Sequence, residues 1–162
     1  MFEGERPSGT KPEIYRELAQ MAGGLFRGER DAIANAANLS ALLWMGLSDL
    51  NWAGFYFLRE PGLVLGPFQG KPACVRIEVG RGVCGTAAAQ KKAIIVPDVE
   101  EFPGHIACDA ASRSELVVPL LKGSRLIGVL DLDSPLRGRF DEADAAGIET
   151  LAALWVTASD PI

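Results

Sequence analysis

Histidine is nearly absent from this chain: His105 is the only one in 162 residues. Cysteine is scarce too, with three residues at positions 74, 84 and 108 and no C-x-x-C pair. His105 and Cys108 have a ligand-like spacing, but no second histidine completes a standard zinc set, so no metal is expected. An odd number of cysteines fits poorly with a structural disulfide framework. That points to a cytoplasmic protein with reduced thiols at rest, in which any disulfide would be transient and catalytic. No apolar run reaches the ~18 residues of a membrane helix. Basic residues do not predominate: 16 Lys and Arg face 21 Asp and Glu, a net charge of -5. This balance argues against nucleic acid or an anionic membrane as a partner. Residues 1–10 are polar, with Gly and Pro, and read as a flexible arm rather than a signal peptide.

What the chain does have is apolar periodicity. Its hydrophobic fraction is 48%, and a chain of this length can bury a real core as one domain without metal or disulfide support. Ile14, Leu18, Met21 and Leu25 predict a helix over Lys11 to Phe26, with Thr10, Pro12 and Glu13 as a capping-box start. A second helix is expected over Asp31 to Leu47. Asn51 to Arg59 reads as an aromatic strand, with Trp52, Gly54, Tyr56 and Leu58 on one face and Ala53, Phe55 and Phe57 on the other. Leu63 to Leu65 is expected as a short strand, Gly66 to Pro72 as a loop, and Cys74 to Val79 as a strand with Cys74, Arg76 and Glu78 on one side. Gly80-x-Gly82-x-x-Gly85 matches a dinucleotide fingerprint in letters only, since no βαβ unit or suitably placed acid follows. It reads as a tight turn into an Ala-rich helix ending near Lys91. Ala93 to Val96 is a brief strand, Leu116 to Leu121 and Arg125 to Asp133 form a hairpin, and Asp141 caps a last helix through Trp155. This order describes an α+β fold, one mostly antiparallel sheet with helices packed at its back.

The stretch from Pro103 to Glu115 stands apart from that pattern. It is small, polar and turn-prone, and it holds the only histidine, Cys108 and, at its end, Glu115. A packed core does not need those residue types together in a loop, whereas nucleophilic or redox sulfur chemistry does. A free cysteine is most often a small buried hydrophobe, and Cys74 and Cys84 each fit that description. Cys108 fits it poorly, because its neighbours are not core residues. Arg113 or a helix N terminus near its sulfur would favour the thiolate. Cys84, at a helix start, has its own route to the same state. Any two of the three thiols could close a catalytic disulfide.

The carboxylates carry a second signal. In Leu130-Asp131-Leu132-Asp133 the alternation sends both acids to one face, about 7 Å apart, and the leucines to the core. Like charges so placed cost energy unless they meet a cation or protonate; a solvated sheet face is the plain alternative. An odd-length hairpin loop would set Glu115 across from Asp131, and an even one would send it to the other side. Together the three acids would suit an ammonium group and hold one protonated acid ready to donate.

Asn51-Trp52-Ala53-Gly54-Phe55-Tyr56, Gly82-Val83-Cys84-Gly85, Val96-Pro97-Asp98-Val99, Phe102-Pro103-Gly104-His105-Ile106-Ala107-Cys108-Asp109, Ser114-Glu115 and Gly128-Val129-Leu130-Asp131-Leu132-Asp133-Ser134 together resemble the GAF-domain family of free methionine-(R)-sulfoxide reductases. The likeness runs from about Asp31 to Ala158. It implies a single GAF-like domain over residues 11–162, built on a six-stranded antiparallel sheet. It also implies reduction of free methionine (R)-sulfoxide rather than a protein-bound residue, without metal or organic cofactor. In the family the loop cysteine, here Cys108, attacks the sulfoxide; a second cysteine resolves the product, Cys74 as first choice and Cys84 as alternate. Thioredoxin then restores the thiols. The family's substrate contacts fall on Glu115, Asp131, Asp133 and Trp52, and Tyr56 is added because it shares Trp52's strand face. Family habit suggests a homodimer.

The residue chemistry agrees with this reading. A raised-pKa acid, Glu115 or Asp133, would protonate the sulfoxide oxygen, and Trp52 would wall the S-methyl group. Backbone N–H groups around Ser112 to Ser114 would hold the substrate carboxylate. Two rivals remain open on sequence: a non-enzymatic GAF sensor of a small ligand or of thiol oxidation, and a cysteine hydrolase using His105.

Overall fold

Thr10 and Glu13 close the first helix as the capping-box pattern predicts: the Thr10 backbone N–H and hydroxyl both donate to Glu13 Oε2, at 2.8 and 2.7 Å. The computed structural model describes residues 4–106 and 109–160. In chain order they form α1 (Lys11–Leu25), α2 (Ala32–Gly46), β1 (Trp52–Arg59), β2 (Gly62–Gly70), β3 (Arg76–Glu78), α3 (Gly82–Gln90), β4 (Ile94–Val96), a 3-10 turn (Val99–Glu101), β5 (Ser114–Lys122), β6 (Arg125–Ser134) and α4 (Glu142–Ala158). Asp31 caps α2 by accepting from the Ala34 N–H, and Asp141 caps α4 by accepting from Ala143 and Asp144.

The strands make one six-stranded sheet in the order β3-β2-β1-β6-β5-β4, antiparallel at every pairing. Strand alternation divides the hydrophobic residues between its two faces. Ala53, Phe55, Phe57, Leu116, Val118, Leu130 and Leu132 pack with α1, α2 and α4 in the larger core. Trp155 of α4 meets Phe55 and Phe57 there, with ring centroids 5.2 and 5.7 Å apart. Trp52, Tyr56, Val117 and Val129 point the other way and pack with Val83, Cys84 and Ala87 of α3. No described helix is long and apolar enough to cross a membrane.

Two expectations about local structure are corrected. Gly66 to Pro72 is not all loop, because β2 continues to Gly70. A register shift between Gly54 and Tyr56 of β1 accommodates Gly66 and Pro67, so the proline, which has no N–H to give a ladder, sits at a bulge. Cys74 is not on a strand, since β3 begins at Arg76. The glycine-rich turn into α3 behaves as expected. Gly82 takes φ +60°, and a Cβ on Gly85 would lie 2.2 Å from the Glu78 carbonyl oxygen. These glycines serve a close strand-to-helix approach and not a pyrophosphate.

Candidate active site

The acidic face is assembled by an irregularity in the β5–β6 hairpin. Its turn is the even one, with Lys122 paired to Arg125 across Gly123 and Ser124. Continued without interruption, that register would have set Glu115 opposite Leu132, on the helix-side face. A bulge intervenes: Leu121 pairs with Leu126 but Leu120 pairs with Gly128, which leaves Ile127 as an extra residue in β6. The parity is restored, and Glu115 lies opposite Asp133, on the face shared with Asp131. The expected partner across the hairpin was Asp131; that position is taken by Val117. On its other side β6 pairs with β1, where Trp52 faces Asp133 and Gly54 faces Asp131.

These residues border a cleft between the second face of the sheet, the start of α3, and the segments at residues 71–73, 105–106 and 109–112. Trp52, Tyr56, Cys84, His105, Glu115, Asp131 and Asp133 line it. The cleft holds about 520 Å³ of space between atoms, counting its open mouth, which suits one small molecule.

The electrostatics are dominated by burial. Glu115 and Asp131 are each only 6% exposed. Burial pushes the Glu115 carboxyl well above the usual range, and the nearby charge of Asp133 pushes it further. Asp131 is raised by burial and then by Glu115, and Asp133 by burial and then by Asp131. Burial and mutual repulsion both work against ionising all three carboxyls and favour a proton kept on the cluster. The Oδ1 atom of Asp131 is buried without a hydrogen-bond partner, an acceptor waiting for a donor.

Cys84 is free and buried, with Sγ 4.0 Å from Glu115 Oε1. Burial and the charges of Asp131 and Glu115 push its thiol well up, so its place at a helix start does not yield a ready thiolate. The ligand atoms of Cys84, Glu115 and Asp131 lie within 4.8 Å of one another. Among the described residues these are the donors a divalent cation would find. Cys74, in the loop before β3, is held in a disulfide. Cys108 lies outside the described residues.

Trp52 is 3% exposed and stacks between Tyr56 and Phe68, with centroids 5.7 and 5.2 Å away; its indole N–H donates to the Lys71 carbonyl at 3.1 Å. Tyr56 shares that face as predicted, and its hydroxyl donates to the Cys74 carbonyl at 2.9 Å. It therefore braces the disulfide-bearing loop. The backbone N–H groups of Ser112 and Arg113, expected to bind a carboxylate, already donate to Asp109 and Ser134 carbonyls at 3.1 and 2.7 Å.

Sequence reasoning missed several contributors. Asn51 donates through Nδ2 to Asp109 Oδ2 and Ser112 Oγ, at 3.2 and 3.0 Å, tying the loop to the head of β1. Asp109 is held below the ordinary range chiefly by the Ala111 N–H, then by Asn51. Phe68 was hidden because its Gly-Pro-rich surroundings read as loop. His105, weighed only as a zinc ligand or a partner for Cys108, instead places Nε2 at 3.3 Å from Glu115 Oε2.

Comparison with known proteins places this geometry. The GAF domain family matches residues 12–158. The free methionine-R-sulfoxide reductase of Escherichia coli is 54% identical over 144 residues, covering 89% of this chain and 87% of that protein. A Bacillus subtilis protein named YtsP is 56% identical over 146 residues, 89% and 90% of the two chains. The X-ray structure of free methionine-R-sulfoxide reductase from Neisseria meningitidis in complex with its substrate superposes with a TM-score of 0.94 at 42% identity, covering 98% of this chain and 95% of that one. With its acid-lined cleft on the second face of a six-stranded sheet, the chain belongs to the GAF domain family and, within it, to the free methionine-R-sulfoxide reductases.

Proposed function

We propose that the protein reduces free methionine (R)-sulfoxide to methionine, with Cys108 as the attacking thiol and Cys74 as the resolving one. The observation that carries this reading is the cluster of buried Glu115 and Asp131 with half-buried Asp133, lining the same cleft as Trp52. The orphaned Asp131 oxygen is an acceptor for the substrate ammonium. Trp52 offers an apolar wall for the S-methyl group. The N terminus of α3, from Arg81 to Cys84, borders the same cleft and is better placed for the substrate carboxylate than the occupied N–H groups at Ser112 and Arg113.

Glu115 is the acid in this scheme. The Cys108 sulfur attacks the sulfoxide sulfur while a buried acid protonates the oxygen, and the thiol's own proton replaces the one given up. The oxygen ends on Cys108 as a sulfenic acid and methionine leaves. The sulfenic acid condenses with the Cys74 thiol, releasing water and forming a disulfide. An external dithiol such as thioredoxin opens it and becomes a disulfide itself, which suits a reducing compartment, the cytoplasm. Separate places for oxygen and methyl give the choice of epimer.

Mass spectrometry of the pre-reduced protein after one equivalent of each epimer tests the scheme. The R epimer is expected to yield one methionine and a peptide pair linking Cys108 to Cys74, and the S epimer neither. Cys108→Ser should abolish turnover with thioredoxin; full activity in that variant would end the proposal. Binding of methionine sulfoxide without disulfide formation would favour a sensor instead.

A further inference from the structure

We propose that His105 is a positioning residue for this reaction, latching the loop that precedes Cys108 onto Glu115 and fixing the direction in which that acid presents its proton. The inference rests on Glu115 being the acid of the proposed scheme.

The Glu115 carboxyl is gripped by groups from separate parts of the chain. Oε1 faces Cys84 of α3; a carboxyl oxygen of Asp131 of β6 lies within 4.8 Å of one of Glu115; Oε2 faces His105 Nε2 at 3.3 Å. The first two sit on the rigid scaffold, and His105 is the contact that comes from the loop. The imidazole is itself largely covered, with its side chain 14% exposed against 8% for Glu115. The loop is seated at a second point as well: a Cβ on Gly82 would come within 3.1 Å of the Ile106 side chain, so Ile106 rests directly on the start of α3. The His105 backbone N–H turns back to the Phe102 carbonyl at 3.1 Å, which sets the ring's approach.

A carboxyl with two free rotations can offer its proton in many directions, and general acid catalysis needs one. Burial lowers the His105 pKa and raises that of Glu115. A neutral ring beside a neutral acid can orient the acid by a hydrogen bond without taking its proton. Asp131, Asp133, Cys84, Asp109, Arg81 and Lys71 line the same cleft. Of the rival sequence readings for His105, as zinc ligand or as base for the thiol, neither explains a ring turned toward Glu115.

The test is steady-state kinetics of His105→Gln, His105→Asn and His105→Ala, each alone and combined with Glu115→Gln, with melting curves to confirm folding. A glutamine amide nitrogen reaches the place of Nε2, whereas asparagine stops near Nδ1. The Gln variant should keep most of kcat, and Asn and Ala should lose about 10-fold or more, within the ~10²–10⁴ attributed to the positioned acid itself. In the Glu115→Gln background the Ala substitution should cost little more, because a residue acting through Glu115 has nothing left to orient. Equal losses for Gln and Asn, additive losses in both backgrounds, or no loss in the Ala variant would each overturn the latch. If Glu115→Gln alone left the rate unchanged, the acid assignment would fail and this inference with it.

Discussion

At the scale of single residues, the role proposed for the acid cluster sets function against stability. Glu115, Asp131 and Asp133 all have carboxyls raised by burial and by one another. In the unfolded chain they titrate near ~4. Above that pH the unfolded state sheds protons that the folded state keeps, so their burial destabilises the fold increasingly as pH rises toward the raised folded values. Asp131→Asn removes part of that penalty. We expect it to raise stability at pH 8 by about 1 kcal/mol, or ~2–4 °C in melting temperature, with the gain vanishing near pH 4. The same change should lower kcat/KM by roughly 10²-fold, since the amide meets an ammonium group poorly. Melting curves from pH 4 to 8 decide the first point, and no gain at pH 8 contradicts it. On the proposed scheme, activity should fall as alkali ionises Glu115, and Glu115→Gln should abolish that alkaline limb along with most of the rate.

At the scale of elements, the β5–β6 hairpin decides whether a site exists. Its even turn alone would aim Glu115 at the helix-side core, and the extra residue Ile127 turns it back. Deleting Ile127 should therefore place a carboxyl among Leu116, Leu130 and Leu132 or force the hairpin to slip. Burying an unpaired acid there costs on the order of 3 kcal/mol or more. The expected result is a protein that melts far lower and reduces no methionine sulfoxide, measured by circular dichroism and a coupled thioredoxin assay. A deletion that leaves both intact would show that the bulge does not set the register. The α3 turn offers a parallel case, where Gly85→Ala would meet the Glu78 carbonyl and is expected to cost about 1–3 kcal/mol.

For the molecule as a whole, the sheet separates a supporting layer from a chemical one. On the helix side, fully buried Asp144 joins α4 to the rest through Tyr15 Oη at 2.8 Å, Lys11 Nζ at 2.5 Å and Arg139 at 3.1 Å. Asp144→Ala takes the carboxylate from Arg139, the acceptor from Tyr15 and one of two carboxylates from Lys11, which keeps Asp141; the expected loss is about 3 kcal/mol, which corresponds to roughly 6–12 °C in melting temperature. Because this clasp lies across the sheet from the cleft, kcat/KM at 25 °C should stay within about twofold. A large kinetic effect at full folding would show that the two layers are coupled.

What the sequence determined by itself were features set within one segment. Capping at Thr10 and Asp141, the two faces of β1, the shared face of Asp131 and Asp133, and the turn nature of the Gly80–Gly85 run all follow from spacing along a few residues, where helix and strand periods act directly. The tertiary structure alone decided what depends on register and on contacts between distant segments. Glu115 joins its acids only through a bulge at Ile127, and the one local mark beside it, Gly128, does not say which strand carries the extra residue. Phe68 reaches Trp52 because β2 carries an irregularity of its own at Gly66 and Pro67, Asn51 finds Asp109 and Ser112 across 58 and 61 residues, and His105 turns to Glu115. One inserted residue in a ladder moves every later side chain to the opposite face, so the site is a property of pairing between strands and not of any strand alone.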